Sequence, residues 1–103
     1  MKIEFVRVLS TKDLAPDEMK GVEANGKEIL IANLKGEYYA IGNICMHMHC
    51  LLSDGTLSGE NIKCPCHGST YSLKTGSIVA GPTKKPEPVF QAKVEEDQVL
   101  VNV

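Results

Sequence analysis

Apolar residues recur along the chain in short runs with a spacing near two, and nowhere in a sustained 3.6-residue pattern, which predicts strands rather than helices. Ile3, Phe5 and Val8 open an extended apolar segment, and the polar stretch from Thr11 to Met19 follows as its exit loop. Three further segments predict a meander: Gly21-Val22-Glu23, then Lys27-Glu28-Ile29-Leu30-Ile31-Ala32, then Tyr38-Tyr39-Ala40-Ile41. Asn25-Gly26 and Lys35-Gly36 separate them. Asn-Gly between strand-like runs signals a tight hairpin, because both turn residues must tolerate positive φ. Towards the C-terminus, Val89 to Val94 and Gln98 to Val101 return to strand-like spacing around Glu95-Glu96-Asp97, and they can pair with the first strands. With no internal repeat and no low-complexity run, the pattern predicts an all-β domain.

Between Ile44 and Pro82 the character changes. All four cysteines, all three histidines and five of the nine glycines fall there, so this stretch is expected to be an inserted, loop-rich subdomain built around a site. The chain then divides into a base, 1–43 and 84–103, and a subdomain, 44–83, within one domain covering 1–103.

Composition narrows the picture further. A chain of 103 residues makes one domain, burying roughly two thirds of the surface its unfolded form exposes. Aromatic residues are 5 % and tryptophan is absent, so Val, Ile and Leu must build the core, which favours a sheet. A net charge of -2 gives no basic patch for nucleic acid or an anionic membrane. No apolar stretch approaches the roughly 18 residues of a membrane span, and Met1-Lys2-Ile3-Glu4 lacks the apolar core of a signal peptide. A protein with a natural start at Met1, no membrane anchor and a cytoplasmic location is expected.

The chemistry concentrates in two runs, Cys45-Met46-His47 and Cys64-Pro65-Cys66-His67. Each offers one sulfur and one nitrogen ligand, and sixteen residues separate His47 from Cys64, enough for two loops to close on a metal centre from opposite sides. Two thiolates with two imidazoles suit a [2Fe-2S] cluster of mixed ligation, one per chain. On that reading Cys45 and Cys64 hold one iron, and His47 and His67 hold the other. Two neutral imidazoles in place of thiolates remove two negative charges, so potentials run from about -150 to +300 mV against about -400 mV for all-cysteine plant-type clusters. Each ligating imidazole keeps one nitrogen free, so a midpoint that falls as pH rises through the oxidised-state pKa values is expected. The same four residues also suit a tetrahedral zinc site, although zinc fingers usually group cysteines with cysteines and histidines with histidines.

The flanking residues carry a resemblance. Cys45-Met46-His47-Met48-His49-Cys50 and Cys64-Pro65-Cys66-His67-Gly68-Ser69-Thr70-Tyr71 closely resemble the two cluster loops of the Rieske iron–sulfur protein family. The similarity extends to Leu52-Ser53-Asp54-Gly55, to Lys74-Thr75-Gly76 and to Gly81-Pro82, which matches the family's cluster-covering proline loop. Asp17-Glu18-Met19 and Tyr39-Ala40-Ile41 resemble strands of the family's base, an antiparallel β-sandwich or barrel. The resemblance implies a disulfide between Cys50 and Cys66, as in respiratory and photosynthetic members; buried free thiols are the alternative. Ferredoxins of aromatic-ring dioxygenases commonly lack this pair, and here the chain departs from that subgroup. The resemblance also implies that Ser69 donates to a bridging sulfide and Tyr71 to a ligand cysteine sulfur, which raises the potential; a turn serine and an ordinary core tyrosine are the plain alternatives.

His49 is expected at the loop surface rather than on the metal, Met46 and Met48 as an apolar rim or shield, and Lys84-Lys85 with Glu95-Glu96-Asp97 as solvated charge. A cluster saturated by four protein ligands leaves no open position for substrate. The chain is therefore expected to be no enzyme but a one-electron carrier, a ferredoxin passing electrons from a separate reductase to an oxygenase or other redox partner. A small subunit of a multi-component enzyme such as a nitrite reductase and a zinc-stabilised binding module remain as alternatives. No motif for flavin or nicotinamide binding occurs.

Overall fold

A computed structural model describes residues 5–44, 50–66, 68–80 and 86–102. Eleven antiparallel strands among them form three sheets, with two single-turn 3-10 helices and no longer helix. The terminal sheet joins both ends of the chain: β1 (Phe5–Ser10) pairs with β11 (Gln98–Asn102), which pairs with β10 (Ala92–Glu95). The central sheet runs β2 (Glu18–Ala24), β3 (Lys27–Leu34), β4 (Glu37–Gly42), β9 (Val89–Phe90). A small sheet holds β5 (Thr56–Ser58), β6 (Asn61–Lys63), β7 (Thr70–Ser72) and β8 (Ile78–Ala80) in sequence order. The all-β expectation holds.

The expected hairpins form where the turn chemistry placed them. Asn25-Gly26 joins β2 to β3 with φ of 51° and 75°, and Lys35-Gly36 joins β3 to β4 with 56° and 93°. Positive φ at both central residues gives the turn a twist that matches its strands. β2 starts at Glu18, earlier than the periodicity suggested. The exit loop before it holds a 3-10 turn, Thr11–Asp13, where Ser10 Oγ accepts from Lys12 N–H at 3.2 Å and Ser10 N–H donates to Asp13 at 3.0 Å. The four strands of the small sheet were not foreseen. Three residues each leave too little length for alternation to show.

β3 explains the layering. Its run Ile29-Leu30-Ile31-Ala32 is fully buried and sends alternate side chains to opposite faces. Ile29 and Ile31 join Leu9, Ala40, Val99 and Val101 beneath the terminal sheet. Leu30, Ala32 and Leu34 join Ile41, Leu52, Ile62, Tyr71 and Leu73 beneath the small sheet. A strand covered on both faces has no polar positions to alternate with. Burying each such aliphatic side chain is worth about 1.5–3 kcal/mol, so the central sheet is the platform on which the small sheet packs.

Candidate metal centre

The two candidate ligand loops leave the fold at neighbouring places. The first connects β4 to a second 3-10 turn, Leu52–Asp54; the second connects β6 to β7. Cys45 and His47 of the first and His67 of the second lie outside the described residues, as do Met46, Met48, His49, Gly81, Pro82, Lys84 and Lys85. The fourth candidate ligand, Cys64, is 2 % exposed at the end of β6, in the same apolar cluster as Tyr71 and Leu52.

Backbone bonds close the second loop. Cys64 N–H donates to Ser69 O at 2.7 Å, and Gly68 N–H to Cys64 O at 3.2 Å. Gly68 turns the chain with φ 77°, left-handed backbone that glycine adopts without strain. Cys50 and Cys66 form a disulfide with Cα atoms 6.5 Å apart, within the ordinary range, so the two loops are covalently tied. The alternative of free thiols at these two positions is set aside. The tie is asymmetric: Cys50 packs against the core, whereas Cys66 is exposed.

Ser69 is fully buried, and its hydroxyl has no hydrogen-bond partner among the described residues. A buried, unsatisfied hydroxyl costs about 1–3 kcal/mol, so an orphan donor beside Cys64 calls for an acceptor that the described residues do not provide. The sulfur of an iron–sulfur cluster is such an acceptor, and the residues present fit that group. Tyr71 is also fully buried and belongs to the core whatever its hydroxyl does.

Sequence reasoning passed over two buried polar residues. Asn43, 1 % exposed, stands two positions before Cys45 and bonds across to Leu52 and Ser53. Glu87, 4 % exposed, lies between Pro86 and Pro88 in the strap returning to β9; its N–H donates to Gly76 O, and Gly42 N–H donates to Pro88 O, both at 2.9 Å. A lone asparagine and a glutamate between prolines gave no sign of burial.

Electrostatic features lie away from the loops. Lys74 pairs with Glu60, which holds its ammonium pKa above the usual lysine value. The Tyr39 hydroxyl donates to Glu37 at 2.7 Å, and that acceptor raises the phenol pKa. These four residues with Asp17, Leu34 and Lys35 line a cleft of about 480 Å³ at the end of β6 opposite Cys64. Shallower clefts of about 460 and 310 Å³ flank β4 and β10. None of the three touches Cys64, Ser69 or the disulfide. Among the described residues no helix is long and apolar enough to cross a membrane.

Known proteins share this sequence pattern and this fold. The ferredoxin component of biphenyl 2,3-dioxygenase from Rhodococcus jostii (strain RHA1) is 35 % identical over 99 residues, covering 96 % of this chain and 92 % of the relative. The ferredoxin of carbazole 1,9a-dioxygenase from Nocardioides aromaticivorans IC177 superposes with a TM-score of 0.91 at 28 % identity, covering 95 % of this chain and 96 % of that one. A ferredoxin solved in complex with its oxygenase, also of carbazole 1,9a-dioxygenase, gives 0.89 at 30 % identity, with 95 % and 92 % covered. The sequence model of the Rieske [2Fe-2S] domain matches residues 4–98, and the chain belongs to that family, a carrier of one [2Fe-2S] cluster.

Proposed function

We propose that this chain is the ferredoxin of a multi-component oxygenase system, taking single electrons from a separate reductase and delivering them to the oxygenase. The orphan hydroxyl of Ser69 beside buried Cys64 carries the reading, because it marks where a sulfur-rich group belongs. The cluster, when bound, stores and releases one electron. Cys45 and Cys64 hold one iron, and His47 and His67 the other.

Each chain residue then has a physical task. Ser69 and Tyr71 donate hydrogen bonds to sulfur and favour the reduced, more negative state. The Cys50–Cys66 disulfide fixes the spacing of the loops, and Gly81-Pro82 shield the cluster. Leu51 is 38 % exposed beside Cys50. Val79 is 52 % exposed on β8, whose Ala80 pairs with Thr70 just after the second loop. Two apolar side chains flanking the loops suit a docking rim for a protein acceptor. Residues 44–83 serve as the cluster subdomain on a base of 1–43 and 84–103, and the carrier works in the cytoplasm.

Electron paramagnetic resonance through a reductive titration tests the reading, followed by stopped-flow mixing of the reduced protein with a ring-hydroxylating oxygenase. A Rieske-type signal and electron delivery are expected. A metal-loaded, silent and colourless preparation would return the zinc site to the front.

A further inference from the structure

The first loop lies between Ile44 and Cys50, and Asn43 joins the residues on its two sides. Leu52 N–H donates to Asn43 O at 2.7 Å, and Ser53 N–H donates to Asn43 Oδ1 at 2.8 Å. Asn43 Nδ2 donates to Ser53 Oγ at 3.0 Å, and Asn43 N–H donates to Glu28 O at 3.0 Å. Ile44 and Leu51 form an antiparallel bridge just outside this pair. Both backbone groups and both side-chain atoms of one buried residue are therefore used, three across the neck of the loop and one to the central sheet. Gly21 of β2 seals the pair: a Cβ there would stand 2.6 Å from Asn43 Nδ2 and 2.8 Å from Ser53 Oγ.

We infer that Asn43 is a positioning residue for the cluster, closing the first ligand loop independently of the disulfide. The inference rests on Cys45 and His47 being ligands. The ends of the second loop are joined through Cys64 and Ser69, so the ends of both loops are held by hydrogen bonds besides the Cys50–Cys66 bond. The disulfide ties Cys50, at the end of the first loop, to the second loop. Asn43 and the disulfide are thus parallel constraints on the same exit segment, and losing one makes the cluster dependent on the other.

Two measurements on the iron-loaded protein test this. Hydrogen exchange of the Leu52 and Ser53 amides is expected to be at least tenfold slower than that of the exposed Asn25-Gly26 turn; equal rates would overturn the clamp without any variant. Asn43→Ala should then speed cluster loss, followed by visible absorbance, about tenfold, and shift the resonance g-values and the midpoint. Disulfide reduction should accelerate loss in Asn43→Ala by far more than in the parent, a non-additivity expected of groups sharing one loop. Ser53→Ala keeps the 2.8 Å closing bond and should stay within about twofold of the parent. Asn43→Asp keeps the Oδ1 acceptor, lets the Ser53 hydroxyl donate instead, and should restore the parent signal. Should Asn43→Ala fail to fold, Gly21→Ala crowds the same pair from the opposite strand and should give the same shifts. A lower melting temperature with unchanged g-values, midpoint and loss rate would make Asn43 merely structural. Slow exchange at Leu52 and Ser53 in a protein that takes zinc and no iron would remove the cluster reading while the clamp stood.

Discussion

Replacing Ser69 by alanine separates the two accounts of its buried hydroxyl. If Ser69 donates to cluster sulfur, the hydrogen bond strengthens when the site gains negative charge, and its loss lowers the midpoint. A hydrogen bond to a charged group contributes about 1.5–3 kcal/mol, but only the part that differs between oxidation states moves the potential. Taking that part as about 1–2 kcal/mol, and using about 1.4 kcal/mol and about 59 mV for each tenfold in a one-electron couple, the midpoint should fall by about 40–85 mV. Full burial supports the upper half, because no water can replace the lost donor. Protein-film voltammetry at fixed pH reads this directly, and the resonance spectrum confirms an intact cluster. If the hydroxyl has no acceptor, removing it relieves an unsatisfied group, so the variant would be unchanged or more stable with its midpoint within about 10 mV of the parent. That result would refute the cluster contact.

Other perturbations address the frame around the site. Replacing Cys50 and Cys66 together by serine should cost about 3 kcal/mol in denaturant unfolding, the chain-entropy value for a closed loop of this length, while leaving a Rieske-type signal because each loop is closed by its own hydrogen bonds. Gly76 has φ 73° and a missing side chain that would abut the Glu87 backbone carbonyl, so Gly76→Ala should destabilise by about 2 kcal/mol or more, and a smaller loss would mean the strap moves easily. Glu37→Gln should lower the alkaline ultraviolet titration of Tyr39, whose pKa is held up by the Glu37 hydrogen bond first and burial second. A phenol raised in the folded state contributes stability below its unfolded pKa and loses it as pH climbs through the folded value, so the variant should be slightly less stable than the parent at neutral pH, with the difference shrinking in strong alkali.

The platform of the fold was legible because its rules are local. The run from Lys27 to Ala32 announced a strand, and Asn25-Gly26 and Lys35-Gly36 announced their turns. Glu96-Asp97 makes a similar turn at φ 49° and 65° without glycine, so only the strand spacing around it pointed there. The small sheet was illegible because a three-residue strand buries one side chain, such as Ile62 or Tyr71, and shows no period. The Cys50–Cys66 pairing came only from resemblance, since spacing cannot separate a bridge from two thiols. Asn43 and Glu87 escaped notice for a related reason: their roles depend on chain segments that meet only in the folded state.

The disulfide sets this chain apart from the expectation for dioxygenase ferredoxins, yet those proteins are what it matches over nearly its full length. The structure reconciles the two. Loop closure is the work of backbone and amide hydrogen bonds: Asn43 for the first loop, Cys64 to Ser69 for the second. A bridge laid across loops already closed changes their mutual mobility and the ease of losing the cluster, and leaves the ligand set alone. Apart from Asn43, whose closure of the first loop bears on both, midpoint and durability therefore come from different residues. Ser69 and Tyr71 should move the potential with little effect on cluster lifetime, whereas Cys50 and Cys66 should move lifetime with little effect on potential. A Tyr71→Phe variant whose midpoint falls while its cluster-loss rate holds, set beside a reduced disulfide with the opposite pattern, is the outcome this division requires.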